Sequence, residues 1–73
     1  MNLTARIERD KLLIYNALNG AIKTTVSLPL NCTYSGPVIS GHNVTVSIHN
    51  NSGSNRSRTY DIKNGRLISD IQM

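Results

Sequence analysis

The chain has 73 residues, 38% of them hydrophobic, and its eight Lys and Arg outnumber four Asp and Glu for a formal charge of +4. This length holds one domain at most, and a folded chain of this size buries only about 60% of the surface its unfolded form exposes. A single cysteine, Cys32, excludes an internal disulfide, and the absence of Trp and Phe leaves the core to Leu, Ile, Val and Ala.

Such side chains contribute roughly 1.5 to 3 kcal/mol each when a large one is fully buried, and small scaffolds usually need an added staple. No Cys/His cluster has zinc spacing, so self-association is the remaining staple. No stretch approaches the ~20 apolar residues that cross a bilayer. Residues 1–10 lack the apolar run of a secretory signal. A cytoplasmic protein with no membrane partner is expected, the alternative being a secreted chain from which a signal peptide has been removed. Asn2, Asn31, Asn43, Asn50 and Asn55 each open an Asn-x-Ser/Thr triplet, a pattern with consequences only in a secreted chain.

In chain order, Leu3, Ala5 and Ile7 alternate with Thr4, Arg6 and Glu8, the period of a strand with one wet face, and Arg9-Asp10 marks a tight turn. Leu12 to Tyr15 is a continuous apolar run, as in a strand buried on both faces. Asn19-Gly20 then reverses the chain through a type I′ turn, and Ile22, Thr24, Val26 and Leu28 follow on one face until Pro29. Residues 30–41 are the least regular, with a short strand expected from Pro37 to Ser40 at an edge or strand start. Val44, Val46 and Ile48 form the cleanest alternation. Residues 50–57 read as a polar loop. A second hairpin joins Arg58–Ile62 to Arg66–Ile71 through Asn64-Gly65, with Leu67 and Ile71 flanking Ser69. No run of ten residues has helical spacing.

The expected fold is all-β: an antiparallel meander of about seven strands in a single domain spanning 1–73. Residues 3–28 make a three-stranded partial unit and residues 36–73 a four-stranded meander. Leu12, Ile14, Val44, Val46 and Ile48 are the expected buried strand residues. The stretches Val38-Ile39-Ser40-Gly41-His42-Asn43-Val44-Thr45-Val46 and Tyr60-Asp61-Ile62-Lys63-Asn64-Gly65-Arg66-Leu67 resemble a blade of the β-propeller repeat proteins. Propeller rings typically hold 4 to 8 four-stranded blades, so the resemblance implies a ring closed by several identical chains, a trimer being the simplest. A small β-sandwich or barrel is the alternative. The docking Trp, Trp-Asp pairs and Ca-binding Asp runs of named propeller families are absent, and no family function carries over.

Chemistry-bearing motifs are sparse. His42 and His49 lie ~23 Å apart along a strand at ~3.3 Å per residue, too far for one metal ion, and read as surface or turn residues. Cys32 has no activating base beside it in sequence and reads as buried filler. Glu8, Asp10, Asp61 and Asp70 include no closely spaced acid-base pair, and Asp61 is expected to bond the Asn64-Gly65 turn. No catalytic, metal or cofactor residues are assigned, and no cofactor is implied. The expected function is a non-enzymatic structural or interaction protein that assembles with itself into a symmetric oligomer and presents the 50–57 loop. Two alternatives stand beside it. Nucleic-acid binding would use the loop and basic patch of Asn55, Arg56, Arg58, Lys63 and Arg66, with Tyr34 or Tyr60 stacking on a base. Carbohydrate binding would use Asn, Ser, Thr and Tyr. Asn19, Gly20, Asn64 and Gly65 are structural turn residues.

Overall fold

A computed structural model describes residues 2–73 and contains, among them, seven β-strands and no helix. The strands are β1 (Leu3–Glu8), β2 (Lys11–Asn16), β3 (Ile22–Ser27), β4 (Cys32–Ser40), β5 (Asn43–Asn50), β6 (Asn55–Asp61) and β7 (Leu67–Gln72). Every pairing is antiparallel between sequence neighbours, giving a three-stranded sheet β1-β2-β3 and a four-stranded sheet β4-β5-β6-β7, with no closed barrel. The all-β meander legible in the sequence is therefore the observed fold.

The two sheets bury one face each. Leu12 and Ile14 of β2 are fully buried with Val44 and Val46 of β5, and Leu28, Ile48, Tyr60 and Ile62 complete the cluster. Leu3, Ala5, Ile7, Val26, Cys32 and Tyr34 pack around it. All five residues expected to be buried are buried. Alternation along each strand sends the intervening side chains to the two outer faces, which explains why a thin aliphatic core suffices for only one layer between sheets.

Strand alternation and two register irregularities change the expected faces. Leu12–Tyr15 alternates instead of being buried on both sides: Leu13 and Tyr15 are half-buried on the outer face. A bulge at Lys23 lets Ile14 pair with Thr24 while Tyr15 pairs with Ile22, so Ile22 leaves the face of Thr24, Val26 and Leu28 and is 48% exposed. In β7, Tyr60 pairs with Leu67 but Thr59 with Ser69. The extra residue, Ile68, puts Leu67 and Ile71 on opposite faces. An inserted residue reverses side-chain phase from that point on, and nothing in an apolar pattern announces it.

The least regular segment is also more ordered than its composition indicates. Strand β4 runs from Cys32, not Pro37, because Gly36 and a cis-linked Pro37 form a bulge opposite β5 and pairing resumes at Val38. Likewise β6 begins at Asn55 and leaves only residues 51–54 as the connecting loop.

The two Asn-Gly turns are built alike, though not as type I′ turns. Gly20 N–H donates to the Asn16 carbonyl at 2.8 Å and Gly65 N–H to that of Asp61 at 2.8 Å. Asn16 N–H donates to Ala21 O at 2.9 Å and Asp61 N–H to Arg66 O at 2.8 Å. The Asn16 and Asp61 Oδ1 atoms each accept a backbone N–H two residues on, as do those of Asn19 and Asn64. Only the glycines, with φ of +76° and +75°, are left-handed; neither Asn19 nor Asn64 is. A type I′ turn requires positive φ at both central residues. Here side-chain oxygens hold a longer right-handed turn that glycine closes.

Candidate functional site: two sheet faces and an open edge

The residues of the expected basic patch are not gathered in one place. Arg56 and Arg58 lie two apart on β6 and both bond the Asp70 carboxylate of β7, at 2.9 and 3.2 Å. Tyr60, and after it Asp70, holds the Arg58 guanidinium above its ordinary pKa. Lys63 and Arg66 sit in the β6–β7 turn, about 17 Å from Arg56 at ~3.3 Å per strand residue. Asn55 belongs to the opposite face of β6, since successive strand residues alternate sides. Tyr60 is buried, and the Tyr34 hydroxyl donates to the Pro29 carbonyl. The buried Tyr60 ring has no free stacking face, and half-buried Tyr34 lies on β4, which pairs with β5 and not with the β6 strand that carries Arg56 and Arg58.

Asn55 instead joins a hydroxyl, imidazole and amide row. Pairings place Thr33, His49 and Asn55 in one cross-strand row and Ser35, Ser47, Ser57 and Ile71 in the next, followed by Val38, Thr45, Thr59 and Ser69. His49 Nδ1 lies 3.0 Å from Asn55 Oδ1 and its Nε2 lies 3.3 Å from Ser35 Oγ. An amide oxygen only accepts, so the tautomer that makes both bonds is the one with the proton on Nδ1, in which Nε2 accepts from the Ser35 hydroxyl. Thr45 and Thr59 hydroxyls meet at 3.1 Å. Sequence spacing hid this convergence because residues 35, 49 and 55 meet only through strand pairing; His49 is a bonded face residue, not an ordinary surface one. The row can orient a hydroxyl and an imidazole. General-base catalysis would also require an adjoining seat for substrate.

The clefts meet this row only at Asn55. One of about 200 Å³ opens at the end of the sandwich among Pro29, Cys32, Ile48, Asn50, Arg56 and Gln72. Cys32 is half-buried there, its thiol 3.4 Å from the Leu30 carbonyl. Another, of about 320 Å³, lies among Leu3, Gly41, His42, Ile62 and Lys63. Neither includes Ser35 or His49. No group of three His, Cys, Asp or Glu side chains among the described residues is placed to hold a metal ion. No helix of the described residues is long and apolar enough to cross a membrane.

On the outer face of the three-stranded sheet, Arg6 lies 4.8 Å over the Tyr15 ring and bonds Glu8 at 2.6 Å. Glu8 and then Tyr15 raise its pKa. This cation–π pair covers part of the ring.

The remaining feature is β7. It ends the four-stranded sheet, pairing with β6 alone among the described strands. Its Leu67, Ile68 and Ile71 are 47%, 52% and 60% exposed, and Met73 beyond it is 68% exposed. Sequence patterning showed a strand here; that the strand is terminal follows only from pairing. The comparisons with known proteins add no relative: no protein-family profile, curated protein or solved structure matches the chain.

Proposed function

We propose that this chain is a non-enzymatic interaction protein that assembles with itself into a symmetric oligomer. The observation that carries the proposal is the concentration of exposed apolar side chains on β7, a strand with one edge unpaired among the described residues. Exposed apolar edges promote pairing with another chain, and soluble proteins usually blunt them with Lys, Pro or a covering segment. β7 carries no Lys or Pro, and its one acidic residue, Asp70, is engaged by two arginines.

The propeller-like ring is the less supported form of this assembly. A closed ring packs both faces of a blade against neighbours, whereas the outer face of the four-stranded sheet is lined mainly by Ser, Thr, His and Asn. The same polar face favours the carbohydrate-binding alternative, because hydroxyl, amide and imidazole groups offer donors and acceptors to sugar hydroxyls. Nucleic-acid binding loses support from the division of its basic residues between a pair that shares the Asp70 carboxylate and a distant turn.

Light scattering on a sizing column tests the proposal. A mass above the 8.0 kDa of one chain, rising with concentration, is the expected result. A single-chain mass at submillimolar concentration overturns it.

A further inference from the structure

Strand β7 also contains the information for how two copies would meet. Resting on the self-assembly reading above, we infer that two copies pair β7 against β7 about a twofold axis through Ile71, extending the four-stranded sheet across the interface.

The direction of the backbone groups comes first. Met73 N–H donates to the Asn55 carbonyl at 2.9 Å, continuing the β6–β7 ladder in which Arg56 faces Gln72 and Ser57 faces Ile71. Backbone groups of an antiparallel strand point alternately to its two neighbours. Those of Met73, Ile71 and Ser69 therefore point at β6, and those of Asp70 and Gln72 point from the open edge. A second strand can bond to β7 only through registers that use Asp70 and Gln72.

Charge then selects among these registers. Centring the twofold on Asp70 sets one carboxylate directly against its symmetry copy, and like charges in directly opposed positions destabilise a pair. Centring it on Ile71 sets Asp70 against the partner's Gln72 and Gln72 against the partner's Asp70, so each couple exchanges both of its N–H and C=O groups. Glutamine opposite aspartate adds a donor amide where the other register has repulsion.

Side chains agree with this choice. Ile71, 60% exposed in one copy, faces the partner's Ile71 in a non-hydrogen-bonded couple, the closer of the two antiparallel spacings. Ser69 faces the partner's Met73, whose side chain is 68% exposed. Ile71 and Met73 are thus covered by the second copy, as an isologous contact requires, while Leu67 and Ile68 lie beyond the five opposed residues 69–73. Asp70 keeps its bonds to Arg56 and Arg58 of its own chain in this register.

Cysteine cross-linking on the full chain tests the inference, because only a residue on the twofold axis lies opposite itself. In a Cys32→Ser background, Ile71→Cys is expected to oxidise to a covalent dimer at dilute concentration, whereas Asp70→Cys and Gln72→Cys remain mainly uncross-linked. In the native background, Ile71→Lys is expected to shift the sizing profile at least tenfold in concentration toward the single chain. An exposed lysine on a strand leaves folding intact, and circular dichroism checks that. Dimers from Asp70→Cys or Gln72→Cys in place of Ile71→Cys overturn the register. Persistence of the oligomer in Ile71→Lys, with no Ile71→Cys dimer, overturns the β7 interface while leaving self-assembly standing. A native chain that never exceeds one-chain mass overturns both.

Discussion

Gly20 and Gly65 occupy equivalent places in two turns of the same construction, yet they answer different constraints. Both have a left-handed backbone, with φ of +76° and +75°, which costs an L side chain roughly 1 to 2 kcal/mol. A Cβ on Gly20 would meet nothing within 4 Å, whereas one on Gly65 would lie 2.6 Å from Thr24 Cγ2 and 3.0 Å from Val26 Cγ2. The second turn is thus docked on β3, and it couples the two sheets at that corner. Gly20→Ala is expected to lower stability by about 1 kcal/mol through the backbone alone. Gly65→Ala should cost at least about twice as much, since overpacking adds typically 1–3 kcal/mol. Thr24→Ser, which removes the nearer methyl, should recover part of the second loss and none of the first. Urea unfolding of Gly20→Ala and Gly65→Ala, each alone and combined with Thr24→Ser, measures this, and equal losses for the two glycines would show that the Gly65 contact is unimportant.

The strands owe their positions to local ties as well as to burial. Residues 28–31 carry the chain from one sheet to the other: Leu28 N–H donates to Asp10 O at 2.8 Å, Asn31 is left-handed at φ +60°, and the Tyr34 hydroxyl of β4 donates to the Pro29 carbonyl. Burial first, with the nearby Cys32 and Asp10, raises the Tyr34 pKa above the ordinary tyrosine value. The folded chain therefore holds this proton at pH values where the unfolded chain releases it. Its contribution to stability is complete below about pH 10, the unfolded value, and fades as pH rises through the higher folded one. Between pH 9 and 12, native stability should fall more steeply than that of Tyr34→Phe, on top of losses both share from other groups. Denaturation midpoints across that range test it, and parallel curves would exclude Tyr34 as a contributor.

Taken together, the two sheets make a body 38 × 21 × 15 Å in extent, long and thin because one core layer joins them. Four side chains are completely buried large residues: Leu12, Ile14, Val44 and Val46. Domains of this length have a net stability of roughly 4 to 11 kcal/mol by the usual 0.05–0.15 kcal/mol per residue, so burying even one exposed side chain of β7, at roughly 1.5 to 3 kcal/mol, would add a substantial fraction of the total. If assembly contributes, the thermal midpoint must depend on protein concentration, because mass action stabilises the associated state. The expected result is a midpoint that rises by several degrees from micromolar to submillimolar chain, with Ile71→Lys abolishing the dependence. A midpoint independent of concentration in the native chain would indicate a self-sufficient unit.

Alternation at Leu3–Ile7 and Val44–Ile48, the polar breaks and the two Asn-Gly turns sufficed to specify an all-β meander and its five central core residues, because strand period and turn chemistry are local properties. Bulges at Lys23, at Gly36-Pro37 and at Ile68 were not legible, since an inserted residue is chosen by the partner strand and not by its own neighbours. The same holds for the meeting of Ser35, His49 and Asn55, for the sharing of Asp70 by Arg56 and Arg58, and for the exposed position of β7. Each depends on which strands stand side by side, and that order emerges only when distant segments compete to bury one apolar face.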